Sequence, residues 1–312
     1  MTRRDINGAQ HAAGWPEVFL AFAFEKVDFR PNRRACRESW VDGDGRGRQA
    51  REGQKRRDQD GSHAVEVHRE SGTRLALPER RDNMGMKTVL VTGAGRGIGL
   101  ATARAFAAAG WRVLSLDKQF GPGVVGERVD YNLENLAGLP ALIAEVGPVD
   151  TLVNNAAVLY CEPLDSIPEA HRAEILTVNL VAPSKLIEAL APQMKARRSG
   201  RVVNVGSVSA FTGHPDLWYG VTKAGLLNLT KSWARELGPF GVLVNAVAPG
   251  PTRTSMYEQL PQSRKDSVMR SVYSGRACEP EEVATSILWL GSECPEYVNG
   301  TTLDVNNGSY PR

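Results

Sequence analysis

The chain has 312 residues, of which 42% are hydrophobic and 23% charged, and its formal net charge is +3. This composition is typical of a globular protein with one large domain or two small ones, and it excludes a fibrous or membrane-embedded chain. The charge is uneven, because residues 1–85 hold 17 basic and 14 acidic residues, whereas residues 86–312 hold 21 of each. A neutral body of this kind gives no reason to expect nucleic acid as a partner.

The cysteines and the apolar run near the start bear on the compartment. The four cysteines form no C-x-x-C pair, so their spacing indicates neither a disulfide framework nor a zinc site, and no metal is expected. Residues 18–24 form an apolar run of seven residues, which is too short to span a bilayer. We therefore expect a cytoplasmic protein without a membrane partner.

Residues 1–85 differ in composition from the rest of the chain. Charged residues make up 31 of these 85, and they follow neither a helical nor a strand period. Such a segment cannot bury enough apolar surface to offset chain entropy, so we expect a low-order extension. Its interleaved acids disfavour a basic arm or a transit peptide. We hypothesise that translation of the working protein starts at Met84 or Met86, with the folded domain at 86–312.

From Met86 onward, short apolar segments alternate with helical patterns. Strands are predicted at 87–92, 111–116, 150–154, 201–205, 242–247 and 301–305. Helices are predicted at 98–109, 133–146, 168–197, 218–237 and 279–290. Strands that are apolar at nearly every residue and alternate with helices indicate a parallel sheet covered on both faces. The sequence therefore predicts a single doubly wound α/β domain.

A glycine-rich loop separates the first predicted strand from the first predicted helix. Its sequence is Thr92-Gly-Ala-Gly-Arg-Gly-Ile-Gly99. Glycines allow a backbone to come close to a pyrophosphate, whose charge then meets free N–H groups at the helix N-terminus. The acidic residue Asp117 ends the second strand, eighteen residues beyond Gly99. This combination predicts a dinucleotide site.

The residues after the second strand bear on the choice of cofactor. Asp117 is placed to accept hydrogen bonds from ribose hydroxyls, and its charge repels a 2′-phosphate. Two unit charges about 4 Å apart near a surface interact by roughly 4 kcal/mol, which favours NAD over NADP. Lys118 and Arg96 favour the opposite choice, because either can pair with the phosphate. NADP therefore stays open as the alternative.

Tyr219 and Lys223 lie one turn apart at the start of a predicted helix, so their side chains share a face. A free phenol has a pKa of about 10, and acid/base work near neutrality needs this value to fall by roughly two to three units. We predict that Lys223, helped by a positively charged nicotinamide ring, lowers the pKa of Tyr219.

At this point the chain resembles the short-chain dehydrogenase/reductase family, over essentially all of residues 86–312. The matching positions, in the family's order, are Thr92-Gly-x-x-x-Gly97-x-Gly99, Asn154-Asn155-Ala156-Ala157, Asn179, Ser207, Tyr219-x-x-x-Lys223 and Pro249-Gly250. The resemblance implies a Rossmann domain with a mainly parallel seven-stranded sheet, and an NAD(P)(H)-dependent enzyme that interconverts a secondary alcohol and a ketone. It also implies a homodimer or homotetramer.

The resemblance also implies roles for individual residues. Tyr219 would exchange a proton with the substrate oxygen, Ser207 would hold that oxygen, and Lys223 would bind the nicotinamide ribose. Asn179 would anchor a water in the proton relay. Asp130 would meet the adenine ring, Asn155 and Ala156 would line the ribose, and Thr252 would touch the carboxamide. The remaining implied cofactor contacts are Gly93, Arg96, Gly97, Ile98, Gly99 and Asp117.

The substrate is expected to be a small-molecule alcohol or ketone, and the resemblance makes residues 251–273 its lid. This lid and the nearby residues suggest a moderately apolar pocket, which Met256, Tyr257, Leu260, Leu159, Tyr160, Phe211 and Trp218 would line. The basic residues of the lid, Arg264, Lys265 and Arg270, fit an acyl carrier or, as we favour, a solvated surface.

Several alternatives stay open. His214 would border the substrate mouth or, as we favour, be an ordinary loop residue. These residues do not distinguish a 3-oxoacyl-carrier reductase from a sugar or cyclic alcohol dehydrogenase. The competing class is a catalytically idle dinucleotide-binding redox sensor or scaffold, which has no need of the complete catalytic set.

Overall fold

The computed structural model describes residues 85–312. The expectations for the low-order extension and for a translation start at Met84 lie outside the described residues. Met86, the second candidate start, is exposed and precedes the first strand by two residues.

Seven strands form one sheet, and every neighbouring pair in it is parallel. The strands are β1 (Thr88–Thr92), β2 (Arg112–Asp117), β3 (Glu127–Asp130), β4 (Thr151–Asn154), β5 (Gly200–Val205), β6 (Val242–Pro249) and β7 (Thr302–Val305). Their order is β3-β2-β1-β4-β5-β6-β7, which confirms the predicted doubly wound Rossmann fold. The order reverses between β1 and β4, and ligands of such sheets bind beside this point, at the carboxyl ends of the strands.

Helices cover both faces of the sheet. They are α1 (Gly97–Ala108), α2 (Leu139–Val146), α3 (Glu169–Leu176), α4 (Ala182–Arg197), α5 (Leu217–Leu237), α6 (Ser255–Glu258), α7 (Gln262–Met269) and α8 (Pro280–Ser292). Successive side chains of a strand point to opposite faces. Leu90 of β1 therefore packs in the core with α2, α4 and α5, whereas Val89 and Val91 pack in the core with α1 and α8.

Three features differ from the predicted elements. The edge strand β3, Glu127-Arg-Val-Asp130, is mostly exposed, so its residues carry no apolar signal. The helix predicted at 168–197 is interrupted by a π-helical turn at Thr177–Val181. The lid segment, for which no helix was assigned, contains the two short helices α6 and α7.

The helical run Glu169–Arg197 has the length and hydropathy of a membrane span. Half of its most apolar stretch is nevertheless buried inside the fold, where Leu186, Leu190 and Met194 join the core beside the sheet. The apolar residues of this run therefore serve the protein core.

Candidate active site

A cavity of about 460 Å³ lies at the carboxyl ends of the strands. Its size is that of small-molecule sites, and its position is the one expected from the strand order. The predicted site residues in its wall are Gly93, Arg96, Gly97, Ile98, Asp117, Asn155, Ala156, Ser207, Tyr219, Lys223 and Thr252. Three predicted residues, Gly99, Asp130 and Asn179, are not in this wall. The structure thus brings most of the predicted residues into one cavity.

The glycine loop between β1 and α1 fits a pyrophosphate. Gly93 has a φ of +65°, which residues with a Cβ rarely adopt, and a Cβ on Gly99 would lie 2.0 Å from the carbonyl oxygen of Gly93. Arg96 is the N-cap residue of α1 and has an extended backbone. Its side chain does not cap the free backbone N–H groups in the first turn of the helix. An uncapped helix N-terminus with closely packed glycines before it suits an anion.

Asn155 fastens the glycine loop to the end of β4. Its side-chain Nδ2 donates to the carbonyl oxygens of Thr92 and Gly93, at 2.9 and 3.1 Å. In return, the hydroxyl of Thr92 accepts from the backbone N–H groups of Asn155 and Ala156, at 3.0 and 3.1 Å. Asn155 and Ala156 were predicted to line the ribose. They line the cavity, and Asn155 also holds the loop in shape.

Acidic residues end β2 and β3 side by side. One carboxylate oxygen of Asp117 accepts from the backbone N–H of Gly95 at 2.8 Å, and the other accepts from Gln119 at 3.2 Å. Asp130 pairs in register with Asp117 but is exposed. The next residue, Tyr131, is in the cavity wall instead. The predicted contact of Asp130 with adenine is not tested by this placement and stays a prediction.

Tyr219 and Lys223 face the cavity from the first turns of α5. Lys223 is only 2% exposed, and its Nζ donates to the carbonyl oxygen of Val205 at 2.7 Å. The same Nζ lies 5.5 Å from the centre of the Tyr219 ring. Burial lowers the pKa of Lys223 to about 8. Burial also raises the pKa of Tyr219 to about 12, with a smaller rise from Asp216 and an opposing hydrogen bond from Ser207.

The predicted lowering of the Tyr219 pKa refers to a site with bound nicotinamide and stays a prediction, whereas the protein alone shifts this pKa upward. We predicted that Lys223 and a nicotinamide ring together lower the pKa of the phenol, yet the side chains of the protein alone raise it. The physical reason is desolvation, which penalises a charged phenolate more than the neighbouring polar groups stabilise it. The phenol is therefore protonated at neutral pH.

Ser207 and Asn179 have different surroundings. Ser207 follows β5, lines the cavity, and accepts the backbone N–H of Ser209 at 3.1 Å. Asn179 lies in the π-helical turn and is fully buried. Its amide accepts from the N–H of Val158 at 2.8 Å and donates to the carbonyl oxygen of Val158 at 2.9 Å. The Asn179 side chain thus holds the segment after β4, and its predicted water-anchoring role stays a prediction.

An ion pair between the lid and the start of α5 was not predicted. Asp216 is buried and accepts from the guanidinium of Arg264 at 2.6 Å. The same Arg264 nitrogen lies 3.2 Å from Nε2 of His214, whose ring centre is 5.5 Å from that of Tyr219. Burial lowers the pKa of His214. We favoured a solvated Arg264 and an ordinary loop position for His214, but both line the cavity because Asp216 provides a buried partner.

Other wall residues were partly predicted. Leu159, Met256, Tyr257 and Leu260 line the cavity as expected, together with the unpredicted Tyr310. The predicted residues Tyr160, Phe211 and Trp218 are not in its wall. The Phe211 ring stacks on Tyr310 with ring centres 5.7 Å apart, so it supports the wall from behind. Tyr310 lies near the end of the sequence, far from every predicted site residue. No local sequence pattern therefore indicates that it lines the cavity.

Comparison with known proteins now defines the class. Residues 87–265 match the short chain dehydrogenase family, and the chain belongs to this family. It is accordingly an oxidoreductase that acts on hydroxyl or keto groups. The chain is 36% identical over 241 residues to the 3-oxoacyl-[acyl-carrier-protein] reductase FabG of Vibrio cholerae, an alignment that covers 73% of this chain and 99% of that relative.

Two solved structures show the same fold. The 3-oxoacyl-[acyl-carrier protein] reductase of Brucella melitensis is 32% identical with a TM-score of 0.67, and the match covers 72% of this chain and 92% of that one. A protein from Agrobacterium tumefaciens assigned as a 2-deoxy-D-gluconate 3-dehydrogenase, with bound NADP, is 30% identical with a TM-score of 0.68. That match covers 72% of this chain and 97% of that one.

Proposed function

We propose that the protein is an NAD(H)-dependent oxidoreductase that interconverts a secondary alcohol and a ketone, with Tyr219 exchanging the proton. The observation that carries this proposal is that Tyr219, Lys223 and Ser207 share one cavity with the glycine loop. A nicotinamide cofactor, when bound, would exchange the hydride. A substrate oxygen within reach of Ser207 and Tyr219 would then receive or lose its proton there.

The surroundings of the catalytic side chains bear on this role. In the protein alone, burial raises the pKa of the Tyr219 phenol to about 12, so the phenol holds the proton that a general acid donates during ketone reduction. For turnover near neutral pH, a bound nicotinamide and Lys223 would together have to lower this pKa. Ser207 presents its hydroxyl from the end of β5. Lys223 is held by Val205 at a fixed distance from the phenol ring. Asn179 keeps the segment around Val158 in place at the edge of the same cavity.

NAD is the cofactor we propose, with NADP as the alternative. Support for NAD comes from the Asp117 carboxylate, which lies in the wall at the end of β2 and would repel a 2′-phosphate. The alternative draws on Arg96, which is exposed in the same wall and has no ion-pair partner among residues 85–312. It also draws on the NADP bound to the Agrobacterium tumefaciens relative.

The proposed substrate is a small or medium alcohol, sugar or 3-oxoacyl compound. The wall at the lid offers the apolar side chains of Met256, Leu260 and Leu159. Arg264, the basic lid residue in the cavity wall, is already paired with Asp216. The relative named as a 3-oxoacyl-carrier reductase supports the 3-oxoacyl class, and the relative named as a deoxygluconate dehydrogenase supports the sugar class.

A screen of ketones and alcohols, followed by NADH absorbance, tests the proposal against an idle redox sensor. We expect turnover with at least one substrate, and we expect Tyr219→Phe to lower that turnover by several orders of magnitude while the dissociation constant for NADH stays near normal. Tyr257→Phe, in the same wall, is the matched control and should keep most of the activity. Full turnover by Tyr219→Phe would refute the role of Tyr219, and NADH binding without any turnover would favour the sensor.

We also place the catalytic domain at residues 86–312 and propose a cytoplasmic homodimer or homotetramer. Leu217 and Val221, one turn apart on α5, are 44% and 45% exposed, which supports an interface on that helix. Within the described residues, the cysteines Cys161, Cys278 and Cys294 are free thiols, as in a reducing compartment. Light scattering should give two or four chains for the wild type and a smaller assembly for Val221→Glu. An unchanged mass in the variant would contradict this interface.

A further inference from the structure

A cluster of charged residues lies next to the proposed adenosine end of the cavity. Lys118 follows Asp117 directly and lines the cavity. Its Nζ lies 3.2 Å from a carboxylate oxygen of Glu174 on α3 and 3.8 Å from one of Glu134. Lys118, the cation that follows Asp117 in sequence, is therefore engaged by two acidic residues, whereas Arg96 of the glycine loop is not paired with either of them.

Glu174 is held in place by more than Lys118. Its second carboxylate oxygen accepts the hydroxyl of Tyr160, and its side chain is only 16% exposed. The Tyr160 ring stacks on His171, with ring centres 3.9 Å apart and planes 8° apart. His171 in turn contacts Glu162, with 2.6 Å between Nδ1 and Oε1. Most exposed ion pairs are weak because both side chains must be ordered, but here the acid is already ordered by its neighbours.

The charge on Glu174 persists at neutral pH. Burial alone would raise its pKa, but the hydrogen bonds from Tyr160 and Lys118 outweigh this effect and lower the pKa. A carboxylate that is ionised and fixed competes with any other anion for the Lys118 ammonium. A 2′-phosphate on a ribose beside Asp117 is such an anion, because it needs a nearby cation to offset the repulsion from Asp117.

We propose that Glu174 is a specificity-determining residue, which withholds the Lys118 ammonium from the 2′-phosphate of NADP and so favours NAD. This inference rests on the proposed function, because it requires the cavity to bind a nicotinamide dinucleotide. It adds a residue on α3, more than fifty positions from the glycine loop, to the determinants of cofactor choice.

Calorimetric titration of the full chain with NAD+, NADP+ and 2′,5′-ADP tests the proposal without any knowledge of the substrate. Glu174→Gln keeps the size of the side chain and a partner for Tyr160, but it removes the charge that holds Lys118. We expect this variant to bind NADP+ and 2′,5′-ADP about five- to tenfold more tightly, with NAD+ affinity changed less than twofold. Glu162→Gln, which alters the same cluster without touching Lys118, should leave all three affinities unchanged.

Two variants of Lys118 show whether Glu174 acts through that residue. In the wild-type background, Lys118→Ala should change the affinity for NADP+ less than twofold, because the ammonium is already engaged. In the double variant Lys118→Ala/Glu174→Gln, the gain seen with Glu174→Gln should disappear. The Lys118→Ala result does not depend on how well Glu174→Gln folds.

Three results would overturn the inference: an equal change for NAD+ and NADP+ in Glu174→Gln, a gain that persists without Lys118, or a fivefold loss of NADP+ affinity in Lys118→Ala alone. Each of these would leave the proposed function standing, provided that the wild type binds a dinucleotide. Absence of binding by folded wild-type protein to both dinucleotides would instead refute the proposed function itself.

Discussion

The buried ammonium of Lys223 should cost the protein stability, and Lys223→Met should recover it. The pKa of this group falls from 10.5 to about 8 on folding. At about 1.4 kcal/mol per tenfold change, this difference corresponds to roughly 3 kcal/mol of unfavourable free energy at neutral pH. Methionine has a similar length and no charge, but it loses the hydrogen bond to Val205, which contributes about 1 kcal/mol net. We therefore expect Lys223→Met to be about 2 kcal/mol more stable at pH 7.

The pH dependence follows from the sign of the shift. Because the pKa is lower in the folded state, the unfolded chain binds the extra proton between about pH 8 and 10.5. The penalty is thus fully present below pH 8 and fades as the pH rises toward 10.5. The stability advantage of Lys223→Met should consequently shrink from about 2 kcal/mol at pH 7 to near zero at pH 10.

Urea denaturation followed by tryptophan fluorescence, at pH 7, 8.5 and 10 and one fixed protein concentration, measures this difference. Lys231→Met is the matched control, because Lys231 is exposed on the same helix and its substitution should change the unfolding free energy by less than about 0.5 kcal/mol. A Lys223→Met variant that is less stable than wild type at pH 7, or whose advantage does not shrink with pH, would show that the ammonium is not strained by burial.

Two further substitutions test the loop and the core. Gly99→Ala places a Cβ 2.0 Å from the carbonyl oxygen of Gly93, so the loop must shift. Calorimetry should then show at least a tenfold (~1.4 kcal/mol) loss of NADH affinity. Unchanged affinity would mean that the loop does not contact the cofactor. Phe106→Ala empties a fully buried site between α1 and α8 and should lower the unfolding free energy by about 3–5 kcal/mol in urea, whereas a loss under 1 kcal/mol would contradict tight packing there.

The sequence predicts the fold well where a strand is buried on both faces. β1 and β6 are buried at every residue, so nearly every side chain is apolar and the strands stand out against their flanking helices. β3 lies at the sheet edge with one side open to solvent, and its polar residues give no such signal. The π-helical turn around Asn179 adds a single residue to one turn, which is too small a change for an apolar period to reveal.

The site divides in the same way between local and distant contacts. The glycine loop and the Tyr219–Lys223 pair depend on short spacings, and the sequence predicts them for that reason. The partners of Asp216 and Lys118 lie about fifty residues away along the chain, and no local pattern connects them. Burial is likewise a property of the whole fold. The four-residue spacing therefore indicated that Lys223 lies near the Tyr219 phenol, but it could not predict that burial raises the pKa of that phenol.

At the start of α5, two residues of the site lower the stability of the helix itself. Asp216 occupies the N-cap position, where an aspartate usually accepts a backbone N–H of the first turn and stabilises the helix by about 1 kcal/mol. Its carboxylate binds Arg264 of the lid instead, and two turns later the helix buries the charge of Lys223. Both departures raise the energy of the helix that carries Tyr219, and the buried apolar residues Leu226 and Leu237 of the same helix offset them. Departures of this kind from local preference are expected at functional sites. Here the Asp216–Arg264 ion pair connects the lid to the helix that carries Tyr219.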